Sequence, residues 1–129
     1  MTKPTVAILG ASANRAKFGN KSIRAHLIRG YDVYPVNLKG GTIEGLRVYP
    51  TLADIPVQKF DRISLYLPPA TGIWILEESA ATGGDQLWLN PGSDAPEVVS
   101  RARELGLDPI VACSIVDAGQ SPRDLPEES

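Results

Sequence analysis

Five short apolar runs punctuate the chain: residues 6–9 (VAIL), 33–36 (VYPV), 63–67 (ISLYL), 87–89 (LWL) and 110–113 (IVAC). Each is near-continuous rather than alternating, the pattern of strands covered on both faces. Between the runs, apolar residues recur at helical spacing. Ile23, Leu27 and Ile28 predict a first helix with one buried side, stopped at Gly30. Ile73, Leu76 and Ala80 predict a second over residues 71–82, stopped by Gly83 and Gly84. Pro96 opens a third, with Val98, Val99, Ala102 and Leu105 inside it and Gly106 at its end. Residues 37–62 are the least regular. They predict a turn and a short strand near Val48, then a brief helical turn at residues 52–54.

Strand alternating with helix specifies an α/β fold: a three-layer, Rossmann-like, doubly wound parallel sheet of about five strands with helices on both faces. The chain has 129 residues, 43% hydrophobic and 22% charged, an ordinary composition for one globular domain. A chain of this length buries about two-thirds of its unfolded surface, enough for one core. We expect a single domain over residues 1–116. Residues 117–129 are then a polar, proline-containing tail, frayed or draped on the surface. The formal net charge of −2 argues against a nucleic-acid surface. It leaves room for a small anionic ligand, because local charge governs there. Cys113 is the one cysteine, so no internal disulfide is available and a reducing, cytoplasmic setting is expected. The first apolar run is too short for the core of a signal peptide. No stretch approaches the ~20 apolar residues of a membrane span.

In sheets of this type ligands bind beyond the carboxyl ends of the strands, where the strand order reverses. The loops there read GASANRAKFGN, NLKGG, PPATG and NPGSDAPE. In the first, Gly10 permits a tight turn, and Ala11 and Ser12 are small enough for a phosphate to reach the backbone. The N–H groups opening the next helix can then bind it. Ser12 and Arg15 stand where the dinucleotide fingerprint G-x-G-x-x-G has its second and third glycines. Arg15 and Lys17 bring positive charge. At the second strand end an NAD site places an acidic residue on the ribose hydroxyls. Here stand Asn37 and Lys39, which suit a phosphorylated ribose, as in NADP or coenzyme A. Pro68 and Pro69 offer a flat apolar ledge for an adenine. Asn90 and Gly92 precede the third helix and face the same crevice; a glycine there allows close approach.

Taken in order, VAILGAS, GYDVYPVN, TLADIP, LYLPP, LWLNPG and ELGLDPIVACSI resemble the CoA-binding family. These are small Rossmann-like domains related to the CoA-binding domain of the succinyl-CoA synthetase alpha subunit. The motifs span residues 6 to 115. The resemblance implies coenzyme A or an acyl-CoA as ligand, with phosphates at the first loop and adenine beside the proline ledge. The candidate binding set comprises Gly10, Ala11, Ser12, Asn14, Arg15, Lys17 and Phe18 from the first loop, then Asn37 and Lys39. From the later loops it takes Leu67, Pro68, Pro69, Asn90, Pro91 and Gly92. The sequence departs from many members in three places. The proline and arginine that follow GAS are replaced by ANRAKFGN, leaving Arg15 and Lys17 as alternatives for that arginine. VNP is VNL. Asp-Arg-Cys after the last strand is ACSIV.

His26 lies mid-helix and is expected in a packing or surface role. The phosphohistidine chemistry of succinyl-CoA synthetase, which the resemblance places in another domain, is therefore outside this chain. Cys113 is expected as a buried small hydrophobe, or as a thiol at the crevice mouth. Trp74 and Trp88 are expected in the core or covering the sheet. One His and one Cys make no metal cluster. Asp61, Glu77, Glu78 and Asp85 are scattered as solvated charges. A receiver domain needs acids at the end of its first strand, and this strand ends Leu9-Gly10. The expected function is non-catalytic binding of CoA as carrier, sensor or regulatory module, with no nucleic acid and no membrane. A homodimer or a protein partner stays open. The competing readings are an NAD(P)-binding oxidoreductase fragment or redox sensor, and an interaction protein that keeps only the fold.

Overall fold

The computed structural model describes residues 3–57 and 59–127. Its main sheet has five parallel strands: β1 (Thr5–Leu9), β2 (Asp32–Val36), β5 (Phe60–Leu65), β6 (Gly84–Leu89) and β7 (Pro109–Val111). They lie in the order β2-β1-β5-β6-β7. Helix α1 (Phe18–Arg29) links β1 to β2, α2 (Pro69–Thr82) links β5 to β6, and α3 (Pro96–Glu104) links β6 to β7. A short helix, α4 (Ser114–Asp117), follows. The expected short strand near Val48 is half of a small hairpin, β3 (Thr42–Ile43) and β4 (Leu46–Arg47), and a 3-10 turn covers Leu52–Asp54. This is the Rossmann-like α/β sheet that the apolar runs predict.

The winding reverses at β1, which pairs with β2 on one side and β5 on the other. The crevice therefore opens where Leu9, Val36 and Leu65 end their strands. Successive β1 side chains serve opposite faces. Ala7 and Leu9 join Phe60, Leu65, Leu76, Val98 and Ala102 beneath α2 and α3. Val6 and Ile8 join Ile23, Val33 and Ile43 on the α1 side.

Three expectations need correction. Ile23 is buried, but Leu27 and Ile28 are 38% and 62% exposed, so they do not share its buried side. The buried arc of α1 instead carries Asn20, Lys21, Ser22, Arg24, Ala25 and His26. The first turns of α1 lie between the sheet and the returning C-terminal segment. Leu125 and Ala118 pack with Ala25 and Ile115, while Arg24 donates to the Pro126 carbonyl and Lys21 pairs with Glu127 at 2.7 Å. Leu27 and Ile28 border an open hollow beside Leu125 and Pro126. Second, Trp88 is buried but Trp74 is 82% exposed. Gly72, Leu76 and Ser79 supply the buried stripe of α2, and Trp74, two residues from both Gly72 and Leu76, stands on the opposite side of the helix. Third, β7 ends at Val111, so Cys113 is not part of the strand. It is half-buried as the residue capping α4, against the Ala25–Ile115 cluster.

Candidate ligand-binding site

The loop after β1 is fixed by bonds to its carbonyls. Gly10 turns the chain at φ +90°, and a Cβ there would lie 2.7 Å from the Tyr66 carbonyl oxygen. The Gly10 and Ala11 N–H groups both donate to the Val36 carbonyl, at 3.3 and 3.2 Å. The Asn37 side chain donates to the Ala11 carbonyl (2.7 Å), Asn20 to that of Ser12 (3.0 Å) and Arg24 to that of Arg15 (2.9 Å). The Lys17 N–H takes the Asn14 carbonyl at 3.0 Å. With its carbonyls held by the fold, the loop presents other atoms to the crevice. The opening N–H groups of a helix have no acceptor within it, and Phe18 and Gly19, the first residues of α1, line the cavity.

That cavity has a volume of about 620 Å³. It gathers Gly10, Ala11, Ser12, Lys17 and Phe18 with Asn37 and Lys39, then Leu67, Pro68, Pro69, Pro91 and Gly92. Three residues of the candidate set stand elsewhere. Arg15 turns to Glu44, with Nε 3.5 Å from Oε2. Asn14 folds back on its own loop, its Oδ1 accepting from the Ala16 N–H at 3.0 Å. Asn90 is fully buried below the cavity, donating to Ser64 Oγ and the Leu65 carbonyl and accepting from the Ser114 N–H. It ties the ends of β5 and β6 to α4. Of the two alternatives in the first loop, Lys17 reaches the cavity. Lys39 is positioned by Asn37, whose Oδ1 accepts the Lys39 N–H at 2.8 Å.

Gly19, Tyr66 and Ser93 also line the cavity and were missed by the loop reading. Gly19 was visible as a second glycine closing GASANRAKFGN. Ser93 sits one residue beyond Gly92, and its hydroxyl donates to the Leu67 carbonyl at 2.7 Å, holding two crevice loops together. Tyr66 donates to Ser22 Oγ (2.8 Å) and lies 2.7 Å from Ser114 Oγ. Burial raises its phenol's pKa, against the pull of those hydroxyls. No local pattern marks a tyrosine as the roof of such a network.

A second hollow of about 460 Å³ adjoins the first and shares Gly10, Asn37, Lys39 and Leu67 with it. Leu9, Val36, Leu38, Pro50, Trp74 and Ile75 make it an apolar groove, with Thr51 and Thr71 as its hydroxyls.

Residues 4–118 match the family described as CoA binding domain. The chain belongs to that family. It is 34% identical over 85 residues to the alpha subunit of an ADP-forming acetate–CoA ligase I from Pyrococcus furiosus. That match takes in 61% of this chain and 18% of the subunit, so the chain spans under a fifth of that relative. A conserved hypothetical protein from Pyrococcus furiosus superposes with a TM-score of 0.77 at 29% identity, covering 90% of this chain and 99% of the other. A hypothetical protein from Pyrococcus horikoshii gives 0.78 at 30% identity, covering 87% and 79%.

The crevice of this CoA-binding domain offers hydroxyl and amide donors and two lysines. Among the described residues, no three His, Cys, Asp or Glu side chains gather as a metal site, and no helix is long and apolar enough to cross a membrane. The one histidine is sealed away from the crevice. His26 is fully buried, with Nδ1 2.8 Å from the Ser22 carbonyl and Nε2 3.4 Å from Arg62 Nη1. A carbonyl only accepts, so Nδ1 carries the proton and Nε2 faces the guanidinium. Burial, more than the Arg62 charge, lowers the pKa to about 4. Arg62 itself lies between the Tyr31 and Trp88 rings and donates to Asp117.

Proposed function

We propose that this chain is a non-catalytic module that binds coenzyme A or an acyl-CoA, acting as a carrier, sensor or regulatory unit. The observation that supports it most is the cavity in which the opening turn of α1, Ser12 and Lys17 face Lys39 across the end of β1. In this reading the first group holds the diphosphate, through N–H and hydroxyl donors at a helix N-terminus. Lys39 takes the phosphate on the ribose. Asn37 occupies the position where an acid would hold the free ribose hydroxyls of NAD. The domain then supplies the CoA-holding part of an assembly rather than the ligase reaction of its longer relative.

A thermal-shift panel of CoA, acetyl-CoA, NAD and NADP tests the reading. At a ligand concentration ~100 times Kd, CoA should add ~2.7 kcal/mol. For a domain of this size that raises the melting temperature by several degrees. A larger shift with NAD would overturn the assignment. Acetyl-CoA incubated with the chain should stay intact. Thioester hydrolysis that a single crevice substitution, or Cys113→Ser, abolishes would show a catalyst instead.

A further inference from the structure

An exposed tryptophan on a well-packed helix has no role in stability that the fold explains. A tryptophan side chain removes ~150–250 Å² from water when buried, yet Trp74 is 82% exposed. It stands on α2 three residues after Thr71 and next to Ile75, and all three line the apolar groove. Leu9 and Val36 end their strands in it, and Leu67 lies two residues beyond the end of β5. Leu38, 85% exposed, and Pro50 line it from the loops that follow β2 and β4. Two large apolar side chains thus stand uncovered on either side of one slot. The slot meets the larger cavity at Lys39 and Asn37.

We propose that Trp74 is the residue that holds the ligand's purine base, stacking on it within this groove. The inference rests on the CoA reading above and moves the base from the Pro68–Pro69 ledge to the groove beyond Leu67. The ledge belongs to the cavity with the lysines, whereas the groove is the apolar one. A flat π-face between Trp74 and Leu38 buries apolar surface on both sides of the ring. Stacking of this kind needs no hydrogen-bond code. Lys39, common to both hollows, then stands where base and phosphates meet. The purine is the occupant favoured over a protein partner because the groove is continuous with the ligand cavity and carries a cation at the junction.

Fluorescence reads this directly. Trp88 is buried, with its Nε1–H on Gln86, so the solvent-exposed emission belongs to Trp74. CoA titrated into the full chain should quench that component; 4′-phosphopantetheine, which lacks the nucleoside, should not. By calorimetry, Trp74→Ala should weaken CoA roughly tenfold. Trp74→Phe should keep most of the affinity, and phosphopantetheine should bind both variants as it binds wild type. CoA binding with no quench, or with equal affinity in Trp74→Ala, would overturn the inference while leaving the CoA reading intact. A change of oligomeric state in Trp74→Ala without a change in CoA affinity would assign the groove to a second copy and overturn it too. No calorimetric CoA binding by the wild-type chain would overturn both readings.

Discussion

Gly19 and Gly10 touch: a Cβ built on Gly19 would lie 2.2 Å from the Gly10 carbonyl oxygen. The first turn of α1 is pressed onto the turn that ends β1, which is what allows the helix N-terminus to open into the cavity. Gly19→Ala should therefore destabilise the protein, although alanine is the better helix former. The obstacle is backbone, and overpacking of this sort costs about 1–3 kcal/mol, more than the ~1 kcal/mol of propensity gained. Thermal melting should show a drop of several degrees, and unchanged melting would mean that α1 can retreat without cost.

Ser12→Asp should separate binding from stability. The Ser12 hydroxyl accepts the Asn14 N–H at 3.1 Å, a bond that a carboxylate can keep. Negative charge near a helix N-terminus is favourable in itself. The melting temperature should hold while CoA affinity falls by at least about tenfold, through like-charge repulsion of the diphosphate. Calorimetry on the folded variant checks this; equal affinity would place the diphosphate elsewhere.

Lys39 should distinguish CoA from dephospho-CoA, which lacks only the ribose phosphate. An exposed charge-assisted bond is worth about 1.5–3 kcal/mol at best, and less in salt. Lys39→Ala should weaken CoA by about tenfold and leave dephospho-CoA nearly unchanged. Equal losses for both ligands would show that Lys39 does not read that phosphate.

His26 should make the fold acid-sensitive. Its pKa is about 4 in the folded protein and 6.5 as an ordinary histidine. Above pH 6.5 both states are neutral and nothing is lost. As pH falls from 6.5 to about 4, the unfolded chain takes up a proton that the folded one refuses. Stability then falls by up to roughly 3 kcal/mol, and below both values the loss is complete. Denaturant melts of wild type and His26→Gln between pH 7 and pH 4 should show a shallower pH slope in the variant. Parallel slopes would assign the acid response to carboxylates.

The legible part of the site was its loops. Gly10, Asn37, Pro68 and Gly92 each have a conformational reason readable from the residue type, and all of them line the cavity. Arg15 and Lys17 were not separable, because both are long cations in one loop. Glu44, at the tip of the small hairpin, draws Arg15 to itself. The polar inner side of α1 was hidden for a related reason. Helical spacing finds apolar stripes, and here Asn20 and Arg24 are buried because they hold the carbonyls of the loop before them.

By itself, the sequence determined the alternation of strand and helix and the loops that form the crevice. Those features depend on short-range facts: continuous apolar runs, glycine's freedom at a turn, proline at a helix start. Tertiary structure alone decided that Trp74 stands out in solvent while Trp88 is buried, that Lys17 and not Arg15 faces the cavity, and that His26 is sealed beside Arg62. Each of these is set by contacts between segments remote along the chain, and a side chain's direction and exposure depend on what the fold brings against it.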